Sequence, residues 1–185
     1  MSDQRPLERQ ITGERTIREG RAFDFVELDV RDESGRVHTR QIVRHRGAAT
    51  ILPLLETPAG LRVLFVCNER HAIGARMEEL PAGGIEPGES PIETAHRELR
   101  EETGYAAEEL IPLARFHTTP GITDELMHAF VARGLRFVGQ DLDEDERLTV
   151  HEWTVERALA SVRDGSLTDA KTMLTLLLAE DRGVL

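Results

Sequence analysis

The sequence predicts an α/β domain of the α+β type, with a small β annex at its N-terminus. Three observations support this prediction. Polar and apolar residues alternate through much of the first third of the chain, a capped helix begins after Ser90, and two stretches with helical spacing follow Trp153. The chain has 185 residues, of which 39% are hydrophobic, so it is long enough to bury one core.

Two predicted strands form the annex. Residues 23–30 alternate polar and apolar side chains, a turn at Ser34–Gly35 follows, and residues 37–46 form a second strand candidate. This arrangement is typical of a β-hairpin. We expect residues 1–46 to form the annex and residues 47–185 to form the main domain.

The main domain begins with two more predicted strands. Residues 48–55 and 61–67 are separated by a turn that contains Pro58 and Gly60. The first of these strands is apolar throughout, so it is predicted to lie at the centre of the sheet. Residues 77–88 are rich in glycine and proline and are predicted to form a loop whose backbone can approach a ligand closely.

A helix is predicted to begin directly after this loop. Ser90 is a suitable N-cap, Pro91 suits the first helical position, and Glu93 completes a capping-box pattern with Ser90. Gly104 is expected to end the helix. The rest of the chain is predicted to contain strands at 111–119, 126–133 and 148–153, a helix at 155–164 capped by Gly165, and a helix at 169–181 whose Met173, Leu174, Leu177 and Leu178 face the core.

The central helix carries three carboxylates on one face. Because each helical residue advances by about 100°, Glu98, Glu101 and Glu102 lie on the same side and at the edge of the core, half sheltered. Like charges at this spacing destabilise a helix, and a hard cation held by oxygen ligands would offset the repulsion. The alternative is a solvated charged face, which is common among Glu-rich helices. The apolar stripe expected to pack beside the carboxylates consists of Ile92, Ala95 and Leu99.

The charge balance limits the classes of partner. The formal net charge is −11, with 34 acidic and 23 basic residues, so neither nucleic acid nor an anionic membrane is an expected partner. An acidic protein that binds phosphates must bring divalent cations or a few well-placed arginines to the site. No segment has the length of a membrane span or the pattern of a signal peptide, so we expect a cytoplasmic protein.

Residues 83–105 resemble the Nudix box. The family pattern is Gly, five residues, Glu, seven residues, Arg-Glu, an aliphatic residue, any residue, Glu-Glu, any residue and Gly, followed by a bulky apolar residue. The resemblance implies the Nudix fold, in which a mixed β-sheet is sandwiched between helices, and a hydrolase that depends on Mg²⁺. The pattern is filled here by Gly83, Glu89, Arg97, Glu98, Leu99, Glu101, Glu102, Gly104 and Tyr105.

The same resemblance implies roles for the box residues. Glu98 and Glu102 would be the principal metal ligands, and Glu101 would be a further ligand or a bridge between ions. Arg97 and Glu89 would orient these carboxylates. In such relatives the carbonyl of the residue before the first box glycine also binds metal, and this residue is Ala82 here. The implied cofactor is two or three Mg²⁺ ions, for which Mn²⁺ can substitute.

The flanks of the box resemble ADP-ribose pyrophosphatases over most of the chain. Residues 40–47 resemble their strand entry, residues 79–83 the segment that leads into the box, and residues 120–125 their substrate loop. Many relatives have Gln-Tyr-Arg where this chain has Asn68–Glu69–Arg70, so the aromatic residue is absent here. The implied reaction is hydrolysis of the diphosphate of ADP-ribose to AMP and ribose 5-phosphate by a metal-activated water. The implied substrate-binding residues are Arg44, Arg70, Glu79, Pro120, Gly121 and Glu125.

A second acidic cluster lies at residues 141–146. Five acids in six residues usually form a solvated loop. The relatives, however, carry a catalytic glutamate just before the strand that corresponds to residues 149–151. The resemblance therefore implies that Glu144 is the general base and that Glu146 is an additional metal ligand, and it leaves open an exchange of these two roles.

Two other interpretations of the sequence stay open. One is a pyrophosphatase for another nucleotide sugar, a dinucleotide or a flavin nucleotide. The other is a non-catalytic Nudix module that senses a nucleotide, which would be expected to lose box carboxylates that this chain keeps. The relatives are homodimers that exchange N-terminal strands, so a homodimer is expected. The sequence does not disclose the preferred substrate, the preferred ion or the phosphorus that is attacked.

Overall fold

The structure is a computed structural model that describes residues 9–142 and 147–185. Its strands are β1 Gln10–Arg18, β2 Phe23–Arg31, β3 Val37–His45, β4 Ala48–Thr57, β5 Gly60–Arg70, β6 Ala75–Glu79, β7 Ala82–Gly84, β8 Tyr105–Ala106, β9 Glu109–His117, β10 Leu126–Arg133, β11 Arg136–Phe137 and β12 Thr149–Thr154. Its helices are α1 Pro91–Thr103, α2 Val155–Arg163 and α3 Ala170–Asp181.

The chain divides into two compact units. The first contains β1, β2 and β3 together with residues 119–125, and the second contains the described residues of 47–118 and 126–185. In the first unit the three strands form an antiparallel sheet in the order β1-β2-β3. The predicted hairpin of β2 and β3 is confirmed, with Phe23 opposite His45 and Arg31 opposite Val37. Strand β1 was not predicted, because its side chains are exposed at all but one position and so carry no apolar alternation.

The second unit is built on a mixed sheet. Its strand order is β12-β5-β4-β10-β9, with β6 added to β5 and β7 added to β4. Strand β4 pairs parallel with β10 and antiparallel with β5, and all but its last three residues are buried. The predicted central position of this strand is therefore confirmed, as is the α+β class with a mixed sheet.

The predicted loop at residues 77–88 is partly wrong. Residues 75–79 form β6, which pairs with β5, and residues 82–84 form β7, which pairs with β4. These pairs are made by the backbone, so side-chain alternation does not reveal them. The consequence for the site is that Ala82 and Gly83 are held in the sheet next to Thr50 and Ala49.

Helix α1 has the predicted ends. The Ser90 side chain accepts a hydrogen bond from the Glu93 N–H, the Glu93 carboxylate accepts one from the Ser90 N–H, and Gly104 has a left-handed φ of 78°. Helix α2 ends one residue earlier than predicted, because Asp164 is its C-cap and Gly165, with a φ of 78°, follows it. Asp169 caps α3.

The prediction for the buried face of α3 is wrong in part. Leu174 and Leu177 are 36% and 41% exposed, whereas Met173 and Leu178 pack only partly against the core. The face turned inward is Thr172, Thr175, Leu176 and Ala179. Two threonines can be buried there because their hydroxyls are satisfied: Thr175 Oγ1 donates to the Lys171 carbonyl at 2.7 Å, and Thr172 Oγ1 accepts from the Leu80 N–H at 2.8 Å.

No helix in the described part of the chain is long and apolar enough to cross a membrane.

Candidate active site

Arg97 contacts several of the carboxylates on and next to helix α1. Its Nε donates to Glu89 Oε1 at 2.8 Å, its Nη1 donates to Glu98 Oε1 at 2.6 Å and to Glu101 Oε2 at 3.1 Å, and its Nη2 donates to the Gly84 carbonyl at 3.1 Å. One guanidinium therefore joins two glutamates of α1, the start of the helix and strand β7. The planar fork of arginine suits this task, because it offers five donors in fixed directions.

Glu98 lies directly over Gly83. A Cβ atom at Gly83 would stand 1.8 Å from Glu98 Oε1 and 2.6 Å from Glu98 Oε2, so any other residue there would displace the carboxylate. Its neighbour Gly84 has nothing within 4 Å of the same ideal position. The box glycine Gly83 is thus required by close approach of a carboxylate, whereas Gly84 is not.

Glu102 is held by Ala82, the residue before Gly83 in the same strand. Its side chain is 4% exposed, and its Oε2 accepts a hydrogen bond from the Ala82 N–H at 2.9 Å. Consecutive residues of β7 therefore meet two carboxylates of α1, Ala82 through its N–H and Gly83 through the space where a side chain would be. The predicted metal residues Ala82, Glu98 and Glu102 are brought together by this pairing.

The packing of α1 differs from the prediction at two points. Ala95 and Leu99 are buried as expected, but Ile92 is 41% exposed and does not belong to the buried stripe. Glu98 and Glu102 are buried rather than half sheltered, whereas Glu101 is of intermediate exposure. Burial of carboxylates is costly unless each has hydrogen-bond donors or a cation nearby, and Arg97 and the Ala82 N–H supply some of these donors.

Glu89 completes the anchoring of Arg97. Its carboxylate accepts from Arg97 Nε and Nη2, from Thr94 Oγ1 at 2.8 Å and from the Glu86 N–H at 3.1 Å. These bonds, the one from Arg97 above all, lower the pKa of Glu89 to about 2. Glu89 raises the pKa of Arg97 in turn. Both groups therefore stay charged throughout the physiological range.

A short segment encloses the C-terminal end of α1. The N–H groups of Val138 and Gly139 donate to the Gly104 carbonyl at 2.7 and 3.1 Å, and the Asp141 N–H donates to the Glu101 carbonyl at 3.3 Å. Gln140 adds a side-chain bond to the Glu102 carbonyl at 2.5 Å. Residues 138–141 thus satisfy carbonyls that a helix end leaves without partners. The predicted base Glu144 and metal ligand Glu146 follow shortly afterwards in sequence and lie outside the described residues.

Two predicted substrate-binding residues, Arg70 and Glu79, contact each other. Arg70 donates from Nε and Nη2 to the two oxygens of Glu79 at 2.7 and 2.6 Å, and Lys171 contacts the same carboxylate. Burial raises the pKa of Glu79, but Arg70 and Lys171 outweigh burial, so the pKa lies below its ordinary value. Lys171 was not predicted, although the sequence offers a signal, since it is the single lysine among 23 basic residues.

The other predicted substrate-binding residues belong to the first unit. Arg44 donates from Nε to Glu14 at 3.2 Å and from Nη1 to Asp124 at 2.9 Å, so its charge is balanced there by two carboxylates. Glu125 lies 3.7 Å from the His45 ring nitrogen. Pro120 and Gly121 are exposed in a turn that is closed by hydrogen bonds from the N–H groups of residues 122 and 123 to the Thr119 carbonyl.

The residue types at the site fit a Mg²⁺ centre, since carboxylate and carbonyl oxygens are the donors that this ion prefers. The Glu98 carboxylate also occupies the space that a side chain at position 83 would fill, so Gly83 lets this carboxylate approach the backbone closely. Within residues 9–142 and 147–185, no group of three or more His, Cys, Asp or Glu side chains is arranged to hold a metal ion. Arg97 accounts for part of this, because its guanidinium engages oxygens of Glu98 and Glu101.

Comparison with known proteins agrees with this fold. The profile of the NUDIX domain matches residues 44–175, and the chain belongs to this family of hydrolases. A solved structure titled as that of an ADP compounds hydrolase superposes with a TM-score of 0.80 at 22% identity, covering 96% of this chain and 95% of that chain. This similarity confirms the predicted Nudix fold.

Curated relatives narrow the subgroup. The chain is 39% identical to the ADP-ribose pyrophosphatase of Bacillus subtilis (strain 168) over 90% of this chain and 89% of the relative. It is 34% identical to the ADP-ribose pyrophosphatase of Mycobacterium tuberculosis, over 84% of this chain and 75% of the relative. A relative from Bacillus methanolicus with 36% identity, over 88% of this chain and 90% of the relative, is described as a methanol dehydrogenase activator. The predicted similarity to ADP-ribose pyrophosphatases is therefore confirmed.

Proposed function

We propose that this Nudix hydrolase cleaves the diphosphate of ADP-ribose to AMP and ribose 5-phosphate in the presence of Mg²⁺. The observation that supports this most directly is the seating of Glu98 over Gly83 and of Glu102 on the Ala82 N–H. It places two buried carboxylates beside the backbone of β7, at the point where Gly83 has no side chain. The ADP-ribose pyrophosphatases among the relatives supply the choice of substrate.

The proposed ligands of two or three Mg²⁺ ions are Glu98, Glu101, Glu102, Glu146 and the carbonyl of Ala82, and Mn²⁺ would be accepted at the same donors. When bound, such ions neutralise a diphosphate and lower the pKa of a water molecule for attack on phosphorus. The acidic chain would otherwise repel a substrate with two negative phosphates.

Arg97 is proposed to orient the carboxylates of Glu98 and Glu101. It is tied to Glu89 by two hydrogen bonds and to the Gly84 carbonyl by one, so its Nη1 is held in a fixed direction between Glu98 and Glu101. A fixed cation lowers the repulsion among three neighbouring carboxylates. Arg97 is therefore proposed to keep Glu98 and Glu101 close to one another on α1.

The proton of the attacking water needs a separate acceptor. We assign this role to Glu144, with Glu146 as the second residue of the same segment, since both follow Asp141 closely and Asp141 is bonded to the end of α1. Among the predicted substrate-binding residues of the second unit, Arg70 is proposed to contact the substrate, and the buried Glu79 is proposed to act through Arg70. Arg70 donates from Nε and Nη2 to Glu79, so Nη1 is the donor that is proposed to reach the diphosphate.

The proposal is tested by incubating the purified chain with ADP-ribose and Mg²⁺ in ¹⁸O-water and analysing the products by mass. We expect AMP and ribose 5-phosphate, with ¹⁸O in only one of them, and the labelled product identifies the phosphorus attacked. A panel of other nucleotide sugars, dinucleotides and flavin nucleotides ranks the alternatives. Binding of ADP-ribose without any turnover of the panel would instead indicate a nucleotide-sensing module.

The metal site is tested by Glu102→Gln, which keeps the shape of the side chain and removes its charge. We expect kcat to fall at least roughly 100-fold at saturating Mg²⁺, since even residues that only support metal ligands cost this much. Glu109→Gln, at an exposed position of β9, is the control and should leave kcat unchanged. Near-wild-type turnover by Glu102→Gln would contradict the metal site.

We also infer a cytoplasmic homodimer in which the first unit contributes to association. Strands β1, β2 and β3 expose several large apolar side chains, and a small sheet gains stability from a partner surface. These side chains are Ile11, Ile17, Phe23 and Val37.

A further inference from the structure

Glu79 is a buried carboxylate held between two cations. Its side chain is 1% exposed, and it lies at the end of β6. Arg70 reaches it from β5 with two parallel hydrogen bonds, and Lys171 reaches it from the first turn of α3. Lys171 also donates to Asp169 Oδ2 at 2.9 Å, and this carboxylate is the N-cap of α3. The four charges alternate in sign along the row.

Lys171 is unusual among the basic residues of this chain. The sequence contains 22 arginines and this single lysine, and the lysine side chain is only 12% exposed. An ammonium group is a compact point charge with three donors, whereas a guanidinium is a wide planar fork. The compact ammonium group of Lys171 can therefore donate to both Glu79 and Asp169.

The row is linked by charge to one carboxylate of α1, that of Glu102. Glu79 lies three residues before Ala82, whose N–H donates to Glu102. The hydrogen bonds to Glu79 raise the pKa of Arg70, and the charge of Glu102 contributes to the same shift, so the guanidinium is within electrostatic reach of Glu102. Arg70 uses Nε and Nη2 for Glu79, and within the described residues its Nη1 has no acceptor.

We propose that Lys171 is a positioning residue, which holds Glu79 so that Glu79 holds Arg70 with Nη1 toward the substrate diphosphate. This inference rests on the proposed function. Lys171 does not contact the reacting atoms, and its effect is transmitted through two ion pairs. A buried carboxylate that loses one of two cations is poorly compensated, so Glu79 and the arginine bound to it would adopt other positions.

The same turn of α3 fixes the backbone next to Glu79. The Leu80 N–H donates to Thr172 Oγ1, and Thr172 Oγ1 donates to Asp169 Oδ2 at 2.5 Å. Lys171 thus holds the Glu79 carboxylate at the end of β6, and Thr172 holds the backbone of the next residue, Leu80. This explains how a helix remote in sequence can align residues that lead into the Nudix box.

A double-mutant cycle tests the link between Lys171 and Arg70. The variants are Lys171→Met, Arg70→Ala and the double variant, with kcat and KM measured for ADP-ribose and Mg²⁺. We expect Lys171→Met alone to lower kcat/KM by roughly ten- to 100-fold, since small misplacements of a binding group cost this much. In the Arg70→Ala background the same substitution should have almost no further effect. Lys171→Arg should restore part of the loss.

The control is Arg163→Met, which breaks the exposed ion pair with Glu180 and should leave kcat/KM unchanged. Equal losses from Lys171→Met in both backgrounds would overturn the proposal, because they would mean an effect independent of Arg70. No loss in either background would overturn it as well.

A measurement without substrate separates this inference from the proposed function. Labelling with ¹⁵N-lysine gives a single side-chain ammonium signal in nuclear magnetic resonance, because the chain has one lysine. We expect this signal to shift in Arg70→Ala and to stay in place in Arg163→Met. An unchanged signal in Arg70→Ala would overturn the link even if ADP-ribose is hydrolysed. A shifted signal in a protein that hydrolyses nothing would retain the link and reject the proposed function.

Discussion

At the scale of single residues, the site depends on close approach of backbone and carboxylates. Gly83 leaves the space that the Glu98 carboxylate fills, and Arg97 joins Glu98 to Glu101 and Glu89. These contacts fix Glu98, Glu101 and Glu89 relative to one another. Two predictions belong to this scale, one for the glycine and one for the charge of Glu89.

Gly83→Ala should inactivate the enzyme without unfolding it. The new Cβ would stand 1.8 Å from Glu98 Oε1, so the carboxylate must move by more than about 1 Å, which costs on the order of 100-fold in rate. Gly84→Ala is the matched control, because its Cβ meets nothing within 4 Å. We expect its activity to stay within about twofold of wild type and its stability to change by under about 0.5 kcal/mol. Equal activity of the two variants would show that the close approach has no functional role.

Glu89 should make the stability of the chain sensitive to acid. Its pKa is lowered from 4.5 to about 2, mainly by its hydrogen bond from Arg97. A depressed pKa means that the stabilisation is fully present above pH 4.5 and is lost as the pH falls toward about 2. The free energy of unfolding, measured by urea denaturation at several pH values in this window, should depend less steeply on pH in Glu89→Gln. If the free energy of unfolding depends equally steeply on pH in the variant and in wild type, Glu89 does not have the lowered pKa.

At the scale of elements, helix α1 is the part that local sequence specifies best. Its capping box, its left-handed glycine and its carboxylate face are all encoded within fifteen residues, and all three are present in the structure. Strand β7 completes the platform, because it brings Ala82 and Gly83 to the helix through pairing with β4. The proposed metal site therefore depends on one helix and one very short strand.

Ser90→Ala should destabilise the fold by about 1 kcal/mol, the usual effect of losing an N-cap side chain. The Ser90 side chain accepts from the Glu93 N–H and donates to the Glu93 carboxylate at 2.6 Å, and alanine can do neither. Ser90→Thr keeps the hydroxyl and serves as the comparison. Urea unfolding should rank wild type and Ser90→Thr above Ser90→Ala, and an alanine variant as stable as the threonine variant would refute a role for the cap.

The features that were not predicted from the sequence lack a local pattern of apolar residues. Strand β1 has almost no buried side chain, and β7 is held by backbone pairing, so neither shows apolar alternation. The contact between Lys171 and Glu79 spans 92 positions of the chain, which a local pattern cannot register. The inward face of α3 was misread because two buried threonines replace leucines that lie outside. Local signals thus predicted helix α1 and its carboxylates, whereas tertiary contacts determined the groups that support them.

At the scale of the whole molecule, we consider the proposed dimer, which requires contacts between two chains. The first unit is a small antiparallel sheet of which β1 is an edge strand. Ile11 and Ile17 on β1 are 49% and 44% exposed, and exposed edges with apolar side chains invite association. Association would also bring a second set of Arg44 and Glu125 into the assembly.

The dimer is tested by sedimentation velocity at micromolar concentration. We expect wild type to sediment as a dimer and Ile11→Glu/Ile17→Glu as a monomer, because two buried charges would disfavour the interface. Ile73→Glu, at a position that is 61% exposed in the second unit, is the control and should remain dimeric. A monomeric wild type, or a dimer unaffected by both β1 substitutions, would contradict the proposal.

The single lysine also gives the chain an unusual response to proteolysis. A protease that cleaves only after lysine has one susceptible peptide bond in all 185 residues, the bond between Lys171 and Thr172. That bond lies in the first turn of α3, where Thr172 is fully buried. Cleavage requires this turn to open, so the rate at which one cut appears reports the local opening free energy of α3.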